Sequence, residues 1–170
     1  MKNFISKIEA HIKKPEKGLN ENLFLFLTRL TPMINVDLLI KDFKNKKTLL
    51  SWRKKGEVYK AGWHIPGGII RFRENMINRI NEVAKIELNT KVKIYPSPIK
   101  ISEIFLKQKN RSHFISLLFL CELKKKISDK NMKKLKLKWF KTAPKNIIKP
   151  HKIYNNLINE FNISSLYKKT

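Results

Sequence analysis

The chain has 170 residues, 42% of them hydrophobic and 30% charged, with a formal charge of +25. That length suits one domain with a real core, and the composition is that of a soluble globular protein. No apolar run approaches the ~20 residues of a membrane span, so no membrane-spanning helix and no membrane partner are expected.

The opening MKNFISKIEAHIKK has no continuous apolar stretch followed by a small-residue cleavage site, and a cytoplasmic location is expected. Residues 1–20 read as a helical extension with Phe4, Ile5, Ile8 and Ile12 on one side, ended near Pro15 and Gly18. A domain is expected over 21–162 and a tail over 163–170. Its first helix starts after Asn20 or Asn22, both good caps, and runs through LFLFLTRL to stop before Pro32. Such apolar density implies burial against the sheet or a second subunit.

Ile34 to Asp42 and Thr48 to Arg53 have the aliphatic and β-branched content of two strands, joined by the polar turn FKNKK into a hairpin. After a charged loop, Lys54 to Ala61, the chain re-enters the sheet at Trp63 to Ile65. The stretch Gly62 to Asn89 then organises the rest: an apolar entry, a Pro66-Gly67-Gly68 turn, a charged loop ending in Glu74, and a helix from Asn75. Glycine permits angles closed to other residues, so a sharp turn with carbonyls facing a ligand is expected there. Ile77, Ile80, Ala84 and Leu88 form one apolar face, which puts Glu74, Arg79, Glu82 and Glu87 on other sides of the helix.

Further strands are expected near Val92 to Tyr95 and Ile99 to Phe105. HFISLLFLCEL reads as a central strand buried on both faces, and its Cys121 as a core thiol. Lys124 to Lys134 reads as a solvated connection and Leu135 to Trp139 as a half-buried strand. A last helix is expected from Pro150 to Phe161. Interspersed strands and helices with short connections imply an α/β fold, a mixed sheet covered by helices on both faces.

Several residues carry candidate chemistry. A hard cation such as Mg²⁺ needs oxygen ligands and is often held by only one or two carboxylates. Glu87, beside the glycines, is a candidate ligand, with a solvated helix glutamate as the alternative. Glu74 suits the helix N-terminus as well as it suits a metal. Glu82 is five residues from Glu87, about 140° around the helix, and is not a partner for it. Asp37 lies in an apolar strand and must be paired or functional. Arg53 ends a strand and has the planar fork that binds phosphate. His64, His113 and His151 are bases available near neutral pH, each also plausible as a satisfied structural histidine.

Gly68, five residues and Glu74, followed by a helix, resemble the Nudix box. The second half of that box keeps only Glu87, and in this it is similar to the divergent branch of GDP-mannose mannosyl hydrolases. The similarity extends through Thr31-Pro32, Asp37, Leu49 to Arg53, His113, Trp139-Phe140 and His151, covering roughly residues 23–161. It implies an α/β/α sandwich, Mg²⁺ or Mn²⁺ on the Gly67 carbonyl and Glu87, box support from Gly68 and Glu74, and diphosphate on Arg53. Catalytic positions fall on Asp37, His113 and His151. Where that branch has a further metal ligand and its base, this chain has Lys133 and Lys134, which serve as neither.

The implied activity is hydrolysis of a nucleoside diphosphate sugar, GDP-mannose-like, by a homodimer paired through its N-terminal regions. The charge permits a second reading, a non-catalytic Nudix-like module that binds nucleotide or RNA. Only six of the 38 basic residues are Arg, and lysines spread along nearly every segment, which favours compositional drift over a dedicated nucleic-acid stripe.

Overall fold

The computed structural model describes residues 2–56 and 60–168, and part of the expected 54–61 loop lies outside them. Among the described residues seven strands form one mixed sheet: β1 Met33–Asp42, β2 Lys47–Arg53, β3 Gly62–His64, β4 Gly67–Ile69, β5 Val92–Phe105, β6 His113–Leu123 and β7 Leu137–Phe140. The central order is β3-β2-β1-β6-β5, with β4 added to β1 and β7 to β2. The β1–β6 pair is parallel and the other strand pairs are antiparallel. Helices cover both faces, as the alternation of apolar stretches requires.

β1 changes partner along its length. Residues 40–42 pair with β2, whereas 35–37 pair with β4. Beyond Ser51, β2 diverges to pair with β3. The sheet therefore forks, with Asp37 and Gly67 on one prong, Arg53 and His64 on the other, and Ile65-Pro66 bridging the two.

Gly67 and Gly68 lie in a strand and do not form the expected sharp turn. Neither has a positive φ. What requires glycine is close approach. A Cβ on Gly67 would collide with Asp37 Oδ1, and one on Gly68 would come within 2.8 Å of Val83 Cγ2. Strand alternation sends these two clashes to opposite faces: Gly67 admits a carboxylate, Gly68 admits a helix.

That helix is α3, Met76–Leu88, capped by the Asn75 side chain on Asn78 N–H and ended by Asn89 in the left-handed region. Its buried face differs from the expected one. Ile80, Val83, Ala84 and Leu88 are buried while Ile77 is 45% exposed, because the first turn overhangs the short β4. Arg79, Val83 and Glu87, each one turn apart, form a stripe along β4. Glu87 thus points toward the sheet edge, not away from the packed face.

Other differences follow from local chemistry. The two strands expected over 92–105 are one, irregular between Ile94 and Lys100 around Pro96 and Pro98. Among the described residues β5 pairs only with β6, so prolines without an N–H are tolerated on its other edge. Within 124–134, Ser128 caps a short helix, α4 Asp129–Lys134, and Ile127 is buried. The last expected helix splits into a 3₁₀ segment, Lys149–Tyr154, and α5 Asn155–Ile158. The expected tail contains α6, Ile163–Lys168, whose Leu166 is fully buried. At the other end, α1 Lys2–Ala10 leaves Phe4 and Ile5 exposed, and α2 Glu21–Leu27 has no fully buried residue. Cys121 is buried in the core between β1 and α3, and burial pushes its thiol up to about 12.

Among the described residues no helix is long and apolar enough to cross a membrane. Lys41 is buried, and its ammonium donates to Thr48 Oγ1 at 2.8 Å and to the carbonyls of Leu157 and Ile158 at 2.7 and 2.8 Å. It closes the C-terminal end of α5, whose last carbonyls have no helical partner.

Candidate active site

The fork encloses a cavity of about 150 Å³. β1 supplies Asn35 and Asp37, two residues apart and hence on one face. β2 ends there with Arg53, β3 contributes His64, β4 Gly67, and the 3₁₀ segment His151. Ile69, Ile104, Phe114 and Ile148 complete apolar walls.

Asp37 is the centre of the hydrogen-bond network. Ser116 Oγ donates to its Oδ2 at 2.5 Å and Asn35 Nδ2 donates to the same oxygen at 2.8 Å. Behind Ser116, Tyr154 donates its phenol proton to Ser116 Oγ at 2.7 Å. Burial raises the Asp37 carboxyl from 3.8 to about 6, a shift that the charge of Glu87 adds to and that Ser116, Asn35 and Arg53 oppose. Tyr154 is pushed up to about 12, chiefly by burial, and stays a donor. Ser116→Ala removes a donor to the carboxylate, so Asp37 should titrate at still higher pH. Carboxyl carbon chemical shifts of wild type and variant, followed from pH 4 to 9, would show this, and an unchanged midpoint would refute it.

His151 is poised differently from a general base. Its Nδ1 accepts the Ile65 N–H at 2.9 Å, which places the ring proton on Nε2. Burial first, then the neighbouring His64 and Arg53, holds it well below the ordinary imidazole range. A neutral ring fixed in this tautomer is a donor. His64 stands 3.5 Å from Glu87 Oε2 through Nε2, while its Nδ1 is buried without a hydrogen-bond partner among the described residues.

Glu87 Oε1 lies 3.3 Å from the Gly67 N–H. The flanking ladder bonds run from Leu38 N to Pro66 O and from Ile70 N to Ile34 O, so Asp37 and Gly67 form a non-hydrogen-bonded pair. The N–H and C=O of Gly67 therefore both point out of the β1–β4 ladder, toward the Glu87 side. Glu74 is committed elsewhere. It accepts Arg79 Nε and Nη2, both at 2.8 Å, and the Arg71 N–H at 2.9 Å, so it locks the loop to α3. This paired arrangement holds its carboxyl below the ordinary range despite partial desolvation.

Of the expected site residues, Asp37, Arg53, Gly67, Gly68 and His151 line one cavity and Glu87 reaches its edge. His113 is not among them. Its ring stacks on Phe105 with centroids 4.4 Å apart and meets Glu103 at 3.0 Å. In β6 the alternate residues Phe114 and Ser116 take the side of the site, and His113 takes the other. Lys133 and Lys134 lie exposed at the end of α4. Asn35, Ser116 and Tyr154 were not singled out by sequence; the only signal was the period of two that links Asn35 to Asp37.

No protein-family model matches the sequence, and no curated protein matches it either. Solved structures do resemble the fold. A UDP-X diphosphatase superposes with a TM-score of 0.57 over 96% of this chain and 71% of its own, at 19% identity. A MutT NUDIX hydrolase from Burkholderia pseudomallei gives 0.56 over 74% and 97%, at 14% identity. A NUDIX hydrolase from Nitrosomonas europaea gives 0.54 over 77% and 70%, at 16%. The fold is the Nudix fold. Within the Nudix fold of this chain, the glycine-bearing β4, the loop carrying Glu74, and α3 carrying Glu87 form one unit packed against β1.

Proposed function

We propose that the protein is a divalent-metal-dependent hydrolase of a nucleotide-linked diphosphate, and specifically of a nucleoside diphosphate sugar such as GDP-mannose. The observation that carries this reading is the convergence of Asp37, Arg53, His151 and Gly67 on one cavity of a Nudix fold, with Glu87 beside it on the Gly67 N–H and His64. Structures sharing that fold include a diphosphatase.

Among the described residues no cluster of three or more His, Cys, Asp or Glu surrounds a metal position. The donors present nevertheless suit a hard ion that takes one or two carboxylates and completes its shell with water and substrate oxygens. Glu87 and the Gly67 carbonyl would hold it, and the Asp37–Glu87 repulsion is what such a charge relieves. When bound, the ion supplies positive charge to the departing phosphate.

The chain's own residues account for the rest of the chemistry. Asp37, ionised at pH 7 with a carboxyl near 6, takes a proton from the attacking water. The water oxygen bonds to the sugar anomeric carbon, and the bond from that carbon to the diphosphate oxygen breaks with its electron pair on the diphosphate. Arg53 and the Nε2–H of His151 bind that developing charge. Asn35 and Ser116 hold Asp37 in place while the apolar walls exclude bulk water.

Glu87→Gln tests the reading. It should abolish Mg²⁺-dependent turnover in a panel of nucleoside diphosphate sugars and weaken Mn²⁺ binding, followed by the free-ion resonance, at least about tenfold. Stability in chelator should change by less than about 1 kcal/mol. Glu82→Gln, exposed and paired with Lys85, should leave both unchanged. Equal turnover by wild type and Glu87→Gln would sink the assignment. Sugar plus nucleoside diphosphate as products supports attack at carbon, whereas sugar phosphate plus nucleoside monophosphate places the attack at phosphorus.

A further inference from the structure

The Glu87 carboxylate stands between two nitrogen groups and is held closely by neither. Its Oε1 lies 3.3 Å from the Gly67 N–H, and its Oε2 lies 3.5 Å from His64 Nε2. A carboxylate satisfied by N–H donors holds them at about 2.7–3.2 Å. His64 is nonetheless fixed in place. On β3, Trp63 makes edge contacts with Trp52 and Phe140, so strand alternation sends the His64 side chain to the opposite face. There it is only 7% exposed, with Nδ1 buried and Nε2 directed at Glu87, whose own side chain is 23% exposed.

We propose that His64 Nε2 is a ligand of the bound ion, which makes this a mixed nitrogen and oxygen site that prefers transition ions such as Mn²⁺ and Co²⁺ over Mg²⁺. This rests on the metal-dependent reading, in which Glu87 and the Gly67 carbonyl hold the ion, and goes beyond it. Two ligands each about 2.1 Å from one ion are ~3.0 Å apart at a right angle and ~3.4 Å apart at the tetrahedral angle. The His64–Glu87 separation is therefore long for a hydrogen bond but close to that of two ligands sharing an ion. Mg²⁺ takes oxygen donors, whereas imidazole suits first-row transition ions, whose affinity rises from Mn²⁺ to Co²⁺ and beyond. Two side chains and one backbone carbonyl give three protein ligands, and water and substrate oxygens fill the remaining positions.

The test uses the full chain, freed of metal by chelator and dialysis, at pH 8. Wild type loaded with one equivalent of Mn²⁺ should show a directly bonded nitrogen by electron spin echo envelope modulation. His64→Gln, which offers an amide oxygen in place of the imidazole nitrogen, should lose that signal. Its affinities for Mn²⁺ and Co²⁺, measured by calorimetry, should fall at least about tenfold, and its affinity for Mg²⁺, measured by competition, should change less than about threefold. A histidine that merely steadied Glu87 would give no nitrogen signal, and its loss would weaken all three ions alike.

Mn²⁺ bound to wild type without a directly bonded nitrogen overturns the proposal, whether or not the variant folds. So does a nitrogen signal that survives His64→Gln, which would assign the ligand to another histidine. Either result leaves the proposed activity standing if Mn²⁺ supports turnover of a nucleoside diphosphate sugar. A His64-dependent nitrogen signal in a wild type that hydrolyses no such substrate upholds the ligand and removes the activity instead. A wild type that binds no divalent ion overturns both.

Discussion

Asp37→Asn should make the metal-free protein more stable at pH 8 by about 3 kcal/mol while removing turnover. Burial raises the Asp37 carboxyl to about 6 from an ordinary value of 3.8. A raised acid binds its proton more readily in the folded chain, so its favourable contribution is present below pH 4 and is lost as pH rises through 6. Above pH 7 the fold carries the full cost of a buried anion, and a neutral amide of the same shape avoids it. The oxygen of the introduced amide can still accept from Ser116 and Asn35. The gain should therefore shrink toward zero near pH 4. Urea midpoints of wild type and variant in chelator at pH 8 and pH 4.5, with unchanged slopes, measure it. No gain at pH 8 would show that Asp37 is not the strained group of this site. Such a gain accompanied by lost activity is the usual signature of a functional residue.

Removal of Lys41 should act in the opposite direction. Lys41→Ala leaves a void among buried side chains and strands the Leu157 carbonyl, a loss of about 3 kcal/mol near pH 9. Burial lowers the Lys41 ammonium from 10.5 to about 7, an effect that Glu160 partly opposes. A depressed base contributes stability that is present above its unfolded value and lost as pH falls through 7. Wild type should thus lose stability between pH 9 and pH 6 by roughly 2 kcal/mol more than the variant, and the cost of the substitution should narrow accordingly. Chemical denaturation across that range decides the matter, with a cost that widens toward pH 6 as the contrary result. Because α5 follows directly on the segment carrying His151 and Tyr154, the same variant should loosen the site.

The strands were legible wherever side chains alone decide them. β1 and β6 are aliphatic runs that fit no other element, and the glycine pair before α3 marked the place where backbone and side chains crowd. What glycine was needed for was not legible, since the colliding Asp37 and Val83 come from elsewhere in the chain. The orientation of Glu87 was misjudged by starting the helical face at Ile77. Starting at Val83, one turn earlier than Glu87, gives the observed stripe, but only the length of β4 shows which start applies. His113 failed for a related reason. A strand has two faces, and the one that meets Asp37 is set by pairing of Asn35 with Ser116 on β6. Lys41 carried no signal, because two of its three acceptors, the Leu157 and Ile158 carbonyls, lie more than a hundred residues away.

The parallel pairing of β1 with β6 also sets the timetable of folding. Its partners, such as Met33 and Phe114, are some 80 residues apart in the chain. At a synthesis rate of roughly 5–20 residues per second, β1 leaves the ribosome several seconds before the strand that completes it. During that interval the β1–β2 hairpin can form, but the sheet has no middle, and a long loop must close before its contacts compensate. The apolar run of β6 then emerges and supplies the strand that pairs with both β1 and β5. Arg53, Asp37 and Gly67 can meet early through the hairpin and its neighbours, whereas His151 arrives last. The nascent chain thus stays without its complete cavity until the segment carrying His151 has been made.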